Sequence, residues 1–149
     1  MKIINEMKLI FDSRSINESF ARSAVAGFLI QTDPTIAELN DVKTAVSEAV
    51  TNCVVHAYKD TIGKITVKVQ ITDNNRVILQ VTDKGLGIPD IRQAMQPLFT
   101  TGGNERAGLG FAVMQSFMDN VKVISKVGKG TTVTMEKYIM PKVSEKKTP

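Results

Sequence analysis

Two runs of residues that alternate strictly between apolar and polar side chains, joined by the polar turn DNNR, constrain the fold of this chain most strongly. They occupy residues 64–83, and their apolar members are Ile65, Val67, Val69, Ile71, Val77, Leu79 and Val81. This period of two predicts an antiparallel hairpin with one buried face. Because a sheet with one apolar face is stable only when that face is covered, the rest of the chain must supply a covering layer.

Helical spacing before this hairpin predicts two helices. In the first, four apolar residues recur on one face: Ile16, Phe20, Ala24 and Phe28. Ser15, with Glu18 three residues later, has the pattern of a capping box at its start. For the second helix, Asp33 is the expected cap and Pro34 fits the first turn. Its apolar positions continue to about residue 58: Ile36, Leu39, Val42, Val46, Val50 and Val54.

The C-terminal third predicts a further helix and a second hairpin. The helix is expected in GFAVMQSFMDN, with Phe111, Met114 and Phe117 facing inward. The hairpin joins VKVISK to TTVTMEKYI through VGKG, and a short N-terminal strand contains three alternating apolar residues: Met7, Leu9 and Phe11. These elements predict an α+β two-layer sandwich, a mostly antiparallel sheet covered on one face by helices.

A non-periodic, glycine-rich stretch of more than twenty residues separates the two hairpins. It runs from residue 83 to residue 110, with a short helix expected near PDIRQAM. Loops of this length inside a compact domain are uncommon, and they are typically functional or disordered. Glycines at both ends favour a movable lid.

Size and charge restrict the possible classes of function. A chain of 149 residues suits one domain, which we expect over residues 1–140, followed by a basic, disordered tail over residues 141–149. The formal net charge is +4, and the tail contributes +2 of it through three lysines, Lys142, Lys146 and Lys147, against Glu145. The body is therefore only mildly basic and has no stripe of basic and aromatic residues, which disfavours direct contact with nucleic acid.

Hydropathy and cysteine content indicate the compartment. No apolar run approaches the ~20 residues of a membrane span, and the N-terminus lacks the long apolar core of a signal peptide. The single cysteine, Cys53, lies within the apolar pattern of the second helix, so no disulfide framework is expected. We therefore expect a cytoplasmic protein that does not contact the membrane.

A row of three polar residues, Glu48, Asn52 and His56, interrupts the apolar pattern of the second helix at intervals of four. Residues at this spacing lie ~6 Å apart and can face one cleft. The amide oxygen of Asn52 suits Mg²⁺, which takes further ligands from substrate phosphates. A carboxylate one turn away can accept a proton or orient a water. The alternatives are a solvated helix edge and, for His56, a structural hydrogen bond.

The segment VTDKGLGIPD ends a predicted strand with Asp83 and continues with Gly85 and Gly87. An ionised carboxylate only accepts hydrogen bonds, so Asp83 suits an exocyclic amine such as that of adenine. The glycines let the backbone approach a flat ring closely. The alternative is an ordinary glycine-rich turn.

The segment TTGGNERAGLGFAVM is a candidate phosphate site. Gly108 and Gly110 are expected to open a helix, where free backbone N–H groups bind anions. Arg106 is a charge-assisted donor for phosphate, and Thr131, after the VGKG turn, adds a hydroxyl suited to a base. The alternatives are a flexible helix entry with a solvated Arg106, and a Thr131 that only begins a strand.

The order of these motifs resembles the Bergerat-type ATP-binding fold of gyrase, heat-shock chaperone, histidine-kinase and MutL ATPase domains. We expect a chain this short to lack a gyrase or chaperone transducer domain, and it shows no histidine-bearing dimerisation hairpin of a sensor kinase. Four segments are similar to the anti-sigma-factor serine kinases: NESFARSAVAGFLIQTDPT, VSEAVTNCVVHAY, TDKGLGI and PLFTT. The resemblance extends over residues 5–137.

That resemblance implies a role for each motif. It implies Asn52 as the Mg²⁺ ligand, Glu48 as the catalytic base and Asp83 as the carboxylate that reads adenine. The other residues it implies for ATP binding are Gly85, Gly87, Ile88, Thr100, Thr101, Arg106, Gly108, Leu109, Gly110 and Thr131. The chain departs from the family pattern in a lid about one residue shorter and in Ala107, where histidine kinases usually have another glycine.

The resemblance also implies protein partners. A homodimer would hold a sporulation sigma factor of the sigma-F type, and with Mg-ATP it would phosphorylate a serine of a small anti-anti-sigma protein. Glu18 and Arg22 match residues that contact partners in the family, although their spacing also permits a local ion pair. Two alternatives stay open: an ATP-gated binding module without phosphotransfer, and a detached histidine-kinase ATPase domain.

Overall fold

The computed structural model describes residues 1–95 and 105–140, with the backbone alone for residues 105–109. The strands are β1 (Ile3–Asp12), β2 (Lys64–Thr72), β3 (Arg76–Asp83), β4 (Asn120–Lys126) and β5 (Gly130–Tyr138). The helices are α1 (Ile16–Leu29), α2 (Ile36–Asn52), α3 (Ile91–Ala94) and α4 (Glu105–Phe117). A 3₁₀ turn, Ile30–Thr32, follows α1, and a π-helical turn, Cys53–Ala57, continues α2. The predicted tail lies outside the described residues.

The five strands form one antiparallel sheet in the order β1-β2-β3-β5-β4. Both predicted hairpins are confirmed, since β2 pairs with β3 and β4 pairs with β5. The register sets Val67 opposite Val81 and Val81 opposite Val133, so that alternate residues form continuous buried rows on one face. The buried row of β3 ends at Asp83, and its carboxylate therefore lies on the covered face.

Helices α1, α2 and α4 form the layer that covers this face, which confirms the predicted α+β sandwich. Helix α2 lies in the middle of the layer and packs against both α1 and α4. The helical residues with no exposed surface include Val25, Leu29, Val42, Val46, Val50 and Met114. Burying each of these side chains stabilises the fold by roughly 1.5–3 kcal/mol. No helix among the described residues is both long and apolar enough to span a membrane.

The buried faces of two helices differ from the expected ones. In α1 the buried residues are Ala21, Val25 and Leu29. Ile16 and Phe20, which belong to the row expected on one face, are 76% and 55% exposed. Phe117, the last residue of α4, is 37% exposed, and Met118, which follows the helix, is buried. Each helix has more apolar residues than one face holds, so packing against α2 decides which of them are buried.

The starts of the first two helices also differ from expectation. Ser15 has α-helical backbone angles, and its side chain makes no capping hydrogen bond. The capping box lies at the start of α2, where Thr35 Oγ1 accepts from Glu38 N at 3.0 Å and Thr35 N donates to Glu38 Oε1 at 2.8 Å. Asp33, the expected cap, ends the 3₁₀ turn with φ 56°. A capping residue needs an extended backbone, which Thr35 has and Ser15 lacks.

Replacing Thr35 by Ala is expected to lower the free energy of unfolding by about 1 kcal/mol, because the change removes one half of the capping box. Ser15→Ala is the matched control, and it should change that free energy by less than about 0.5 kcal/mol because this side chain caps nothing. Urea unfolding followed by circular dichroism measures both variants. Equal losses in the two would contradict this assignment of the caps.

Candidate functional site

The polar row of α2 meets α4 at Gly110. A β-carbon at Gly110 would lie 3.3 Å from each of the two terminal side-chain atoms of Asn52 and 3.6 Å from Glu48 Oε1. Gly110 therefore packs closely against the ends of both side chains, and a larger residue there would have to displace Asn52. The structure thus brings three predicted site residues together at the junction of α2 and α4.

The side-chain amide of Asn52 is an incompletely satisfied polar group. Its Nδ2 atom is buried and has no hydrogen-bond partner among the described residues. An unsatisfied buried polar atom costs about 1–3 kcal/mol, so the position suits contact with a ligand. The two ends of an Asn amide exchange by a flip of the side chain, and its oxygen is an acceptable ligand for Mg²⁺. Asn52 therefore fits the metal role that the resemblance implies.

A π-helical turn, Cys53–Ala57, follows Asn52, where the apolar pattern predicts an ordinary helix. Tyr58 N donates to Cys53 O at 3.0 Å, five residues back, which widens the turn. Such turns are rare and occur frequently at functional sites. Ala57 O at the end of the turn accepts from Leu86 N at 3.0 Å. The end of α2 is therefore joined directly to the loop after β3.

Asp83, at the end of β3, is only 5% exposed. Its Oδ1 accepts from Gly85 N at 2.9 Å, and its Oδ2 accepts from Cys53 Sγ at 3.5 Å. The backbone N–H of Thr131 on the neighbouring strand also donates to this carboxylate. Burial raises the pKa of Asp83 above its usual value, and these three hydrogen bonds oppose the rise. The structure thus places a buried acceptor at the position predicted to read adenine.

Gly85 and Gly87 permit two close backbone contacts. A β-carbon at Gly85 would lie 2.2 Å from Ala57 O, and one at Gly87, whose φ is +79°, would lie 2.3 Å from Lys126 O. Leu86 lies between them, and its backbone oxygen accepts a hydrogen bond at 2.8 Å from Gly128 N, in the turn between β4 and β5. The loop after β3 is therefore held between the end of α2 and the second hairpin, and only glycine fits at both positions.

A serine that sequence reasoning missed links two predicted site residues, Ile88 and Thr131. Ser125 Oγ accepts from Ile88 N at 2.8 Å and lies 2.7 Å from Thr131 Oγ1. Ser125 belongs to no recognisable motif, and only the pairing of β4 with β5 sets it opposite Thr131. Thr131 also pairs with Asp83 on β3, so Thr131 lies between the buried carboxylate and Ser125.

Tyr58 is a second residue that sequence reasoning gave no role in the site. Its hydroxyl donates to Lys64 O at 2.6 Å and accepts from Lys84 N at 2.7 Å. The side chain therefore connects the turn after α2 to both ends of the first hairpin. A tyrosine at the end of a predicted helix gives no sign of this contact, because both partners are backbone atoms.

His56 lies on the π-helical turn, one turn after Asn52. Its Nε2 atom is buried and has no hydrogen-bond partner among the described residues, so this atom makes no structural hydrogen bond there. Burial, and to a smaller extent the charge of Lys59, lower the pKa of His56. The neutral ring is therefore the favoured form at neutral pH.

For five predicted ATP-binding residues the structure describes no side-chain surroundings: Thr100, Thr101, Arg106, Gly108 and Leu109. Residues 100 and 101 lie outside the described residues, and the other three belong to the part of α4 described by its backbone alone. Helix α4 begins at Glu105, so Gly108 and Gly110 lie within its first two turns and do not open it, contrary to expectation. Glu, Arg and Ala favour helix, and a carboxylate stabilises a helix N-terminus, which accounts for the earlier start. Phosphate contact by these residues stays a prediction.

Glu18 and Arg22 form a local ion pair on α1. Arg22 Nη1 lies 3.4 Å from Glu18 Oε2, and their side chains are 38% and 22% exposed respectively. Exposed pairs at this helical spacing contribute only about 0.3–0.5 kcal/mol. The local pair is therefore confirmed, and the contact of these residues with protein partners stays a prediction.

The order of strands and helices, with a buried carboxylate beside a polar helix row, defines a class of nucleotide-binding domain. Residues 12–137 match the family model of the histidine kinase-like ATPase domain. Since the match spans most of the chain, this protein belongs to the histidine kinase-like ATPase family.

Within that family the sequence is similar to proteins named anti-sigma F factor. It is 58% identical over 140 residues to the one from Caldanaerobacter subterraneus subsp. tengcongensis, covering 93% of this chain and 97% of the relative. It is 55% identical over 135 residues to that of Geobacillus stearothermophilus, covering 89% of this chain and 92% of the relative. It is 51% identical over 134 residues to that of Clostridium acetobutylicum, covering 89% and 93%.

Solved structures share the fold. The RsbU and RsbW domains of a Mycobacterium tuberculosis protein match with a TM-score of 0.67 at 18% identity, over 91% of this chain and 32% of that one. The blue-light activated histidine kinase of Erythrobacter litoralis EL346 matches with a TM-score of 0.56 at 23% identity, over 72% of this chain and 32% of that one. At such identities the likeness shows the fold alone, and it confirms the ATPase fold expected from the motifs.

Replacing Gly85 by Ala is expected to lower the free energy of unfolding by about 1–3 kcal/mol, because the new β-carbon would overlap Ala57 O. Gly27→Ala in α1 is the matched control. Nothing lies within 4 Å of the position of its β-carbon, so this change should raise the free energy of unfolding by roughly 0.5–1 kcal/mol. Urea unfolding measures both, and a Gly85→Ala protein as stable as the unaltered chain would contradict the close contact.

Proposed function

We propose that this chain is an anti-sigma factor with protein serine kinase activity. It binds and inhibits a sporulation sigma factor of the sigma-F type, and it uses Mg-ATP to phosphorylate a serine of an anti-anti-sigma partner. The observation that carries the proposal is the buried Asp83, which contacts Cys53 directly after Asn52, in a histidine kinase-like ATPase domain. The name anti-sigma F factor, borne by relatives at 51–58% identity, supports the choice of partner.

Adenine recognition depends on Asp83 in this proposal. When ionised it only accepts hydrogen bonds, so it favours the amino group of adenine over the carbonyl oxygen of guanine. The hydroxyl of Thr131, on the strand next to Asp83, lies 2.7 Å from that of Ser125, and the two suit the ring nitrogens, directly or through a water. Gly85 and Gly87 let the loop after β3 form the adjoining wall.

Asn52 would hold Mg²⁺, since its buried amide has an atom without a partner among the described residues. The bound metal would neutralise charge on the phosphates and help to orient them. The first turns of α4 are the proposed phosphate-binding segment, because backbone N–H groups and the positive end of the helix dipole favour anions there. Arg106 adds a positive charge to that segment.

Glu48 lies one turn before Asn52 and, like Asn52, lies against Gly110 of α4. A carboxylate there can accept the proton of a serine hydroxyl and hold the hydroxyl in line with the γ-phosphate. Phosphoryl transfer has a loose transition state, so the orientation of the hydroxyl matters more than early removal of its proton. We assign Glu48 this orienting and basic role.

Helix α1 supplies the proposed contact surface for protein partners. It carries the Glu18–Arg22 pair together with Ile16 and Phe20, which are 76% and 55% exposed. Exposed apolar side chains beside charged ones are typical of protein interfaces. We further propose that the chain acts as a homodimer and works in the cytoplasm, where Cys53 stays reduced.

Asn52→Ala is expected to abolish transfer of label from γ-labelled Mg-ATP to the anti-anti-sigma protein, because the metal ligand is lost. Glu48→Gln should keep nucleotide affinity and slow transfer by roughly 100-fold, the lower end of the range for a general base. Phosphotransfer followed by mass spectrometry of the partner serine measures both. Asn40→Ala, an exposed Asn on the same helix, is the matched control and should transfer normally.

The same assay distinguishes the alternatives. Undiminished transfer by Glu48→Gln would remove Glu48 from the catalytic role. ATP binding without any labelled serine would favour an ATP-gated binding module, and a labelled histidine would favour a detached histidine-kinase domain.

Arg22→Glu is expected to weaken sigma-factor binding by about tenfold or more, because the change reverses a charge within the proposed contact surface. Affinity for ATP should not change, since Arg22 lies on α1 and the nucleotide site on α2, β3 and β5. Surface plasmon resonance with immobilised sigma factor measures the first quantity. Lys122→Glu is the control, because it makes the same charge reversal on β4, an edge strand of the sheet. Equal affinities of the two variants for the sigma factor would exclude this role for Arg22.

A further inference from the structure

Cys53 occupies a position that the proposed reaction leaves without a role. It is the first residue of the π-helical turn and is only 4% exposed. Its Sγ lies 3.5 Å from Asp83 Oδ2, a residue 30 positions further along the chain. The contact therefore depends on how α2 ends against β3, and it places a thiol beside the carboxylate proposed to read adenine.

The thiol is the donor in this hydrogen bond. An ionised carboxylate only accepts hydrogen bonds, so the proton in the 3.5 Å contact comes from the thiol. A thiol is a weak donor in water. Toward an ionised acceptor in a buried site the same bond is stronger, because the local dielectric is low.

The acceptor positions of Asp83 are almost filled by the protein. An ionised carboxylate accepts about four hydrogen bonds. Three protein donors reach Asp83: the N–H of Gly85, the N–H of Thr131 and the S–H of Cys53. About one acceptor position of the carboxylate is therefore left. It suits one N–H of the amino group of adenine.

We propose that Cys53 is a positioning residue that determines base specificity, because its S–H holds Asp83 as an acceptor oriented for the amino group of adenine. This inference rests on the proposed function, since it takes the ligand to be ATP. Without the thiol, Asp83 turns more freely and binds a proton more readily. A protonated carboxyl donates a hydrogen bond, which the carbonyl oxygen of guanine accepts.

The groups around Asp83 determine how this specificity responds to pH. Cys53 and Tyr58 face it from the turn after α2, and burial raises the pKa of both. Strand β5 contributes Thr131, which does not titrate. His56, on the same turn, also titrates. Because every variant compared contains His56, its effect on nucleotide affinity is the same in all of them.

Calorimetric titration of the full chain with Mg-ATP and with Mg-GTP, from about pH 5.5 to about pH 8.5, tests the inference. Cys53→Val, which removes the donor and fills the space, is expected to bind ATP roughly three- to tenfold more weakly. Its preference for ATP over GTP should fall, and it should fall further as the pH is lowered. Cys53→Ser keeps a donor and should retain the preference and the pH profile of the unaltered chain.

Two results would overturn the inference. One is an unchanged preference for ATP in Cys53→Val at every pH, and the other is a Cys53→Ser protein that loses the preference as fully as Cys53→Val does. In the second case packing, and not the donated hydrogen bond, would explain the effect. If circular dichroism shows that Cys53→Val does not fold, Cys53→Ala takes its place.

A second measurement needs no nucleotide. An NMR titration of the Asp83 carboxyl is expected to show protonation at higher pH in Cys53→Val than in the unaltered chain, with Cys53→Ser close to the latter. Three coincident titration curves would overturn the inference. An unaltered chain that binds neither nucleotide contradicts the proposed function and the adenine preference together. A preference for ATP that Cys53→Val leaves intact contradicts the inference alone.

Discussion

A carboxylate buried where the sheet meets the helical layer is the constraint on which the rest of the site depends. Asp83 occupies the last inward-facing position of β3, and a buried charge is costly unless hydrogen-bond donors surround it. Three segments supply those donors: the π-helical turn after α2, the glycine-rich loop after β3, and strand β5. These segments are therefore held around one point, and a ligand that donates one more hydrogen bond completes the arrangement.

Close backbone contacts give these segments their positions. At Gly85, Gly87 and Gly130 an added β-carbon would lie 2.2, 2.3 and 2.1 Å from a backbone oxygen. These glycines are therefore required by the packing of the ligand-free chain, apart from any contact with a purine ring. Gly110 differs, since its β-carbon would meet the side chains of Asn52 and Glu48. That glycine lets α4 pack against the polar row of α2, whereas the other three bring loops together.

Periodicity was enough to predict the two hairpins and the helical layer, because each depends on which face of a local element is apolar. The capping residue of α2 was not predicted, because the backbone angles at Ser15 and Thr35 decide which of two similar patterns makes a cap. Cys53 and Ser125 were missed for another reason. Their partners lie 30 and 37 residues away, and no local pattern encodes such contacts. The roles of Thr100 and Thr101 stay predictions, since these residues lie outside the part of the chain that the structure describes.

A crystal structure of the chain with Mg-ADP would locate the base and the metal together. We expect the amino group of adenine within hydrogen-bond distance of Asp83 and the magnesium ion bound to the side-chain oxygen of Asn52. A base bound away from Asp83, with Asn52 not coordinating the metal, would contradict this expectation.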